Sequence, residues 1–294
     1  GDFSGDWKGL KLQIQNIYQS AKRGYGSPGC EVAGFFMKRS NKEQFVRYAQ
    51  FGCMTACMIN GGENGAFSNH LPWWHGTDVE NIYRYCVVLH DELIPYFFST
   101  VVDAHLRGGS LIKNASYEEE SHQVGDYLFT KAITSADNRV SFHLPSEGEW
   151  INFYDGTKYA PGSLIEEVYA LERFPLFVKA GAILPLNVTS GLTGLGDASM
   201  VGRKTIMIYP NGTTTRQLHL PCGDGIEYED CLVTYDEKTG KLKVSSGTSQ
   251  KYTFILKNMP SVKKVKNAAS WKYNAEKQEL RIDAEGSTLD IEIR

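Results

Sequence analysis

A carboxylate stands almost at the start of the chain, in Gly1-Asp2-Phe3-Ser4-Gly5-Asp6-Trp7. The residues after Asp2 suggest a catalytic group on a chain that begins mid-domain. A carboxyl that gives and takes a proton needs a pKa lifted toward neutrality by burial or by a neighbouring negative charge. Taken alone, Asp2 reads more readily as a carboxylate at a helix N-terminus or as a frayed terminal residue. Glu31 stands in a short apolar stretch bounded by Gly, and its plainest reading is a buried carboxylate satisfied by backbone N–H groups. Phe35, four residues on, is by the same plain reading a core residue at a strand end. Asn60 and Glu63 flank Gly61-Gly62; they are groups able to bond hydroxyls, or members of a flexible turn. Trp73 and Trp74 precede a long helix, where aromatic residues mostly pack. Seven His residues show neither His-x-His nor HExxH spacing, so no metal centre is expected.

The elements that must position these groups divide near Gly108-Gly109. Before it, Trp7, Leu10, Ile14, Ile17, Tyr18 and Ala21 fall on one helical stripe, with Ser4 or Asp6 able to cap its start. Ser40 with Glu43, and Thr77 with Glu80, have capping-box spacing. This predicts helices over about 41–52 and 78–107, the second containing Pro95, which removes a backbone donor and should kink it. Gly29–Phe35 and Thr55–Asn60 are apolar and strand-length, so strand and helix alternate as in a parallel sheet with helical crossovers. A small open sheet and the last part of a barrel fit this alternation equally. After Gly109 the pattern turns to period two, and 127–133, 140–144, 150–154 and 176–180 read as strands of an antiparallel module. A Gly/Ser/Thr-rich stretch over 187–204 reads as a linker. Strands over 205–209, 217–220, 252–256, 280–284 and 289–293 form a second β module.

At 294 residues with 41% apolar content, the chain is long enough for two or three domains. A net charge of −3 with mixed signs offers no basic stripe for nucleic acid. No apolar run approaches the roughly 18 residues of a membrane span. The six cysteines lack paired CxxC spacing and read as mostly free, buried thiols.

Several segments carry a resemblance: Gly1-Asp2-Phe3 with Trp7, Glu31-Val-Ala-Gly-Phe35, Phe45-Val-Arg-Tyr-Ala-Gln-Phe-Gly52, Leu71-Pro-Trp73 with Gly76, and Leu93-Ile-Pro-Tyr96 with Ala104-His105. Val124-Gly-Asp-Tyr-Leu128, Trp150-Ile-Asn-Phe-Tyr-Asp-Gly156, the run from Phe174 to Leu186, and Tyr228-Glu-Asp230 extend it. In order and spacing they resemble glycoside hydrolase family 31. The resemblance implies an α/β segment followed by all-β structure. The last part of a (β/α)8 barrel would occupy 1–108, a proximal antiparallel β-sandwich 109–188, and a distal one 189–294.

It also implies retaining hydrolysis of a terminal, non-reducing α-linked sugar by two carboxylates about 5–5.5 Å apart. Asp2 is then the acid/base at the end of the sixth barrel strand. Glu31, where the family usually has Asp at the seventh strand, bonds hydroxyls of the terminal sugar. Phe35 forms an aromatic wall of that subsite, and Trp73 borders the pocket. At the eighth strand the family's α-glucosidases commonly carry Arg-Asn-His, whereas this chain reads Ile59-Asn60-Gly61, with Asn60 and Glu63 as replacement hydroxyl ligands. Loss of the cation and the imidazole puts α-glucosidase specificity in doubt and raises an α-galactosidase or a hydrolase of a modified sugar. The nucleophile belongs to the fourth strand, and no downstream carboxylate sits in its pattern.

A closed barrel satisfies every strand edge, so its last strands alone would expose unpaired backbone. The expected partners are therefore an oligosaccharide or α-glycoside and the missing N-terminal part of the same enzyme, with no cofactor, nucleic acid or membrane. These residues alone are expected to turn over no α-glycoside. The competing class is a non-catalytic carbohydrate-binding or interaction module built on the two β modules; a catalytically lost family member is a third reading.

Overall fold

The computed structural model describes residues 2–35, 39–61, 71–223 and 226–294. Its first part alternates helix and strand: α1 (Trp7–Lys22), β1 (Gly29–Glu31), α2 (Lys42–Gly52), β2 (Cys57–Ile59) and α3 (Thr77–Arg107). β1 and β2 pair in parallel, Gly29 opposite Cys57 and Glu31 opposite Ile59, with α2 as the crossover between them. The apolar stripe of α1 is buried at Leu10, Ile14, Ile17 and Tyr18. Asp6 caps α1, accepting from the Gly9 N–H at 3.0 Å, and Ser4 supports it by donating to the same carboxylate oxygen at 2.7 Å.

Both expected capping boxes need correction. α2 is capped by Asn41, which accepts from the Gln44 N–H while the Gln44 side chain accepts from the Asn41 N–H. Ser40 cannot serve, because its hydroxyl donates to the Gly5 carbonyl at 2.6 Å. At α3 the cap is Gly76, at φ 102°, without a side-chain cap bond. Thr77 is already the first helical residue. α3 continues through Pro95 to Arg107, with one helical bond unmade at the proline.

The chain divides into two compact units, 1–91 with 103–178, and 92–102 with 179–294. The first unit adds β3 (Ile112–Ser116), β4 (Ser121–Val124), β5 (Leu128–Lys131), β6 (Arg139–His143), β7 (Trp150–Asn152), β8 (Lys158–Tyr159), β9 (Leu164–Val168) and β10 (Leu176–Lys179). Six of these form a sheet in the order β3-β4-β5-β10-β7-β8, and β6 pairs with β9. Phe129 packs against Phe142, Trp150 and Phe177 with ring centroids 5.9, 5.7 and 6.4 Å away. Truncating such a residue to Ala costs about 3–5 kcal/mol.

Arg47 of α2 joins the helical part to this module. It donates to Asn138 Oδ1 at 3.0 and 2.7 Å, and to the carbonyls of Arg173, Tyr169 and Ala170 at 2.7, 3.0 and 3.3 Å. Arg47 is 1% exposed, and burial lowers its pKa to about 10, so it stays charged at neutral pH.

In the second unit, β11 (Ile183–Leu186), β12 (Lys204–Ile208), β13 (Thr213–Pro221), β14 (Tyr228–Asp236), β15 (Lys241–Leu256), β16 (Val265–Lys266), β17 (Ser270–Asn274) and β18 (Glu279–Ile293) make one sheet. Its core holds Ile206, Leu218, Val233, Tyr252, Phe254 and Ile282. All pairs are antiparallel except β12 with β15. The strands expected over 280–284 and 289–293 are one element, β18, because β15 supplies a partner along nearly its whole length.

All six cysteines are free thiols, and Cys30, Cys53, Cys86 and Cys231 are buried. Among the described residues no helix is long and apolar enough to cross a membrane.

Candidate active site

The segment after Asp2 is held at three successive carbonyls. Phe3 accepts from the Phe35 N–H at 2.8 Å, Ser4 from the Tyr48 hydroxyl at 2.8 Å, and Gly5 from the Ser40 hydroxyl at 2.6 Å. The Phe35 bond depends on a turn after β1, in which Ala33 and Gly34 take φ values of 66° and 73°. A Cβ on Gly34 would stand 2.5 Å from the Phe3 carbonyl oxygen. Glycine is required there both for its conformation and for the close approach.

Asp2 is exposed, and helix capping falls to Asp6. Glu31 is half-buried at the C-terminal end of β1. Its Oε2 is buried and accepts no hydrogen bond from any described residue. Burial raises the Glu31 pKa, and the Asp2 carboxylate raises it further. The charge of Asp2 thus disfavours ionisation of Glu31.

Asn60 follows Ile59, the register partner of Glu31, so it stands at the same end of the parallel pair. Its Oδ1 is buried and accepts no hydrogen bond from any described residue; burial raises the pKa of the Tyr83 hydroxyl and the Asn60 side chain lowers it. Trp73 is 59% exposed, not core packing. The neighbouring Trp74 lies under the Arg39 guanidinium, 4.1 Å from its ring centroid. His75 packs on Phe45 at 4.9 Å, and burial and then Arg39 lower its pKa.

These interactions join Asp2, Glu31 and Phe35, place Asn60 at the adjacent strand end, and do not extend to Trp73. Glu63 lies outside the described residues. A cleft of about 440 Å³ opens beside Glu31, lined among others by Phe3, Gln13, Tyr25 and Ile59. Among the described residues no group of three His, Cys, Asp or Glu could hold a metal ion.

Sequence reasoning misses Tyr48, Tyr83 and Gln13. Gln13 has a visible signal: a polar residue three positions after Leu10, on the buried face of α1. Tyr48 and Tyr83 sit among other aromatic residues, and nothing in their spacing separates them from core.

The model of the glycosyl hydrolases family 31 TIM-barrel domain matches residues 1–100, and that of the family's C-terminal domain matches residues 110–184. Neutral alpha-glucosidase C of Homo sapiens is 22% identical over 241 residues, covering 78% of this chain and 26% of the relative. An alpha-xylosidase of Emericella nidulans is 25% identical over 204 residues, covering 64% of this chain and 26% of the relative. This chain therefore spans about a quarter of the length of either relative. The cycloalternan-forming enzyme from Listeria monocytogenes, solved in complex with a pentasaccharide substrate, superposes with a TM-score of 0.81 at 18% identity, over 99% of this chain and 31% of that one. That likeness shows the fold. With both domain models in register along the sequence, the chain belongs to glycoside hydrolase family 31 and comprises the end of its TIM barrel followed by its C-terminal β structure.

Proposed function

We propose that this chain provides the acid/base and part of the terminal-sugar subsite of a retaining hydrolase of α-linked, non-reducing-end sugars. The observation that carries this reading is Glu31 Oε2, a buried acceptor with no donor among the described residues, beside Asp2 at the C-terminal end of a parallel strand. Buried acceptors are ordinarily bonded, and in barrel enzymes that end of the strands is where substrates sit. A sugar hydroxyl is the donor that fits.

In this reading Asp2 protonates the leaving oxygen and then takes a proton from the attacking water. Glu31 accepts a hydroxyl of the terminal sugar, Phe35 lines its apolar face, and Asn60 and Glu63 serve as hydroxyl ligands in place of the Arg and His that α-glucosidases of the family commonly carry. The names of the relatives, an alpha-glucosidase and an alpha-xylosidase, support the α-linked substrate class. The second carboxylate, about 5–5.5 Å from the first, is contributed by barrel strands upstream of β1. These 294 residues then turn over no α-glycoside by themselves.

The test is a panel of p-nitrophenyl α-glucoside, α-galactoside, α-xyloside and α-N-acetylgalactosaminide, offered to this chain, to the polypeptide that carries the upstream strands, and to its Asp2→Asn variant. Activity in the longer polypeptide alone, abolished by Asp2→Asn, is expected. Silence of the longer polypeptide on every sugar would contradict the reading.

A further inference from the structure

We propose that a polar cavity at the end of the β module in the first unit, where Ser121 and Gln123 of β4 meet Phe129 of β5, binds one residue of a neutral saccharide. β4 is buried at all four positions, yet Ser121, His122 and Gln123 are polar. Neighbouring residues of a strand point to opposite faces. His122 turns toward α1, its Nδ1 2.9 Å from the Tyr18 hydroxyl. Ser121 and Gln123 therefore point the other way, and Gln123 stands opposite Phe129 in the register of β4 with β5. Phe129 belongs to the aromatic core with Phe142, Trp150 and Phe177. Space between packed strands is ordinarily filled by apolar side chains, but here it holds a cavity of about 350 Å³.

Ser121 is 2% exposed and Gln123 6%, and both line the cavity. The Ser121 hydroxyl makes no hydrogen bond among the described residues. Gln123 is oriented by a bulge in β3: Lys113 pairs with Gln123 and Ser116 with Ser121, so β3 carries one extra residue, and Asn114 takes a φ of 47°. The Asn114 amide nitrogen donates to Gln123 Oε1. That leaves the two N–H groups of Gln123 Nε2 for the cavity. Across its mouth, Glu119 Oε1 accepts from the His143 N–H at 3.2 Å and lies 2.9 Å from His143 Nδ1, tying the β3–β4 turn to the end of β6. Glu119 Oε2 makes no hydrogen bond among the described residues.

The lining selects the ligand. Two carboxylates, Glu119 and Glu147, stand there without any Lys or Arg, which opposes an anion. No group of three His, Cys, Asp or Glu among the described residues could hold a metal ion. Hydrogen-bond donors at Ser121 and Gln123, an acceptor at Glu119 and an aromatic ring match a sugar, whose hydroxyls both give and take hydrogen bonds and whose C–H face is apolar. The volume lies near the lower end of small-ligand sites, about 300–1,000 Å³, which suits a single sugar residue. Every lining residue falls within 114–147, inside the segment matched by the family's C-terminal domain. The barrel end meets β4 on its opposite face, where Tyr18 and Phe51 pack on His122. This site is thus separate from Asp2 and Glu31, and would hold part of a longer glycan outside the barrel whatever sugar the barrel takes.

Amide NMR on the isotopically labelled chain tests it, by titration with glucose, galactose, xylose, N-acetylgalactosamine, maltose and isomaltose in turn. A ligand of so few non-hydrogen atoms binds with a Kd of about 1–10 mM. At least one of these sugars should give saturable shifts at the amides of Ser121, Gln123, Phe129 and His143. Gln123→Met keeps the length of the side chain and removes its donors, and Ser121→Ala removes the hydroxyl. Each should weaken that binding about three- to tenfold, the scale of one hydrogen bond.

If none of the sugars gives saturable shifts at these amides up to about 0.1 M, well above that Kd range, the proposal is overturned. Shifts confined to residues around Glu31 overturn it equally, while leaving the barrel subsite in place. Unchanged affinity in both variants, each folded, also overturns it. Should Gln123→Met lose the amide dispersion of a folded chain, Ser121→Ala decides alone: weakened binding supports the proposal, and unchanged binding overturns it.

Discussion

The Phe35 N–H donates to the Phe3 carbonyl at 2.8 Å, and this bond ties the segment carrying Asp2 to the turn that comes after Glu31. Two carboxylates far apart in sequence are thereby held as one piece. Gly34 makes the approach possible, since a Cβ there would stand 2.5 Å from the Phe3 oxygen.

Gly34→Ala should therefore cost about 2–4 kcal/mol, combining the left-handed backbone penalty with overpacking. Urea unfolding checks it. A loss below the error of that measurement would show that the Phe3 segment moves away freely.

Glu31 is held in a site that disfavours its charge. A carboxylate with a raised folded pKa destabilises above that pKa, and the penalty fades as pH falls to the unfolded value. Glu31→Gln should be more stable than the wild type at neutral pH, with the gap closing in the acid range. Unfolding midpoints at neutral and acidic pH measure this. A less stable Glu31→Gln at neutral pH would mean that the carboxylate holds the fold together.

How much of the molecule is legible in its sequence depends on the kind of signal. The α1 stripe and the Asp6 cap are readable because helical period and cap chemistry are local. Ser40 and Thr77 mislead because cap identity depends on tertiary partners, here the Gly5 carbonyl. β14, with Cys231, Val233 and Tyr235 buried in alternation, escapes notice because Glu229-Asp230 on one side and Asp236 on the other confine the alternation to a few residues. Asp2 and Glu31 are legible only through a family resemblance, since nothing local distinguishes a catalytic carboxylate from a capping one. Glu31's unpartnered oxygen is a fact of three-dimensional placement.

His122 is fully buried with Nδ1 2.9 Å from the Tyr18 hydroxyl, and burial lowers its pKa from 6.5 to about 4. Its folded pKa lies below the unfolded one, so the stability it preserves is fully present above 6.5 and is lost as pH falls toward 4. That loss amounts to about 3 kcal/mol. Unfolding followed between these pH values should show it, and His122→Gln should flatten the slope. An equal slope in the variant would assign the acid sensitivity elsewhere.

Arg47 satisfies three carbonyls and Asn138 with one planar group. Arg47→Lys keeps the charge but not the fork, and should cost about 2–4 kcal/mol. Denaturant titration reads the loss, and near-wild-type stability would show that water can replace the guanidinium.

The most direct test of the central claim is how Asp2→Ala depends on the leaving group in the polypeptide bearing the upstream barrel strands. An acid that protonates the leaving oxygen matters most where departure needs a proton. Hydrolysis of an α-linked disaccharide should fall about 10²–10⁴-fold, whereas hydrolysis of the corresponding α-glycosyl fluoride should fall far less. Equal losses on both substrates, or none on either, would contradict Asp2 as the acid/base.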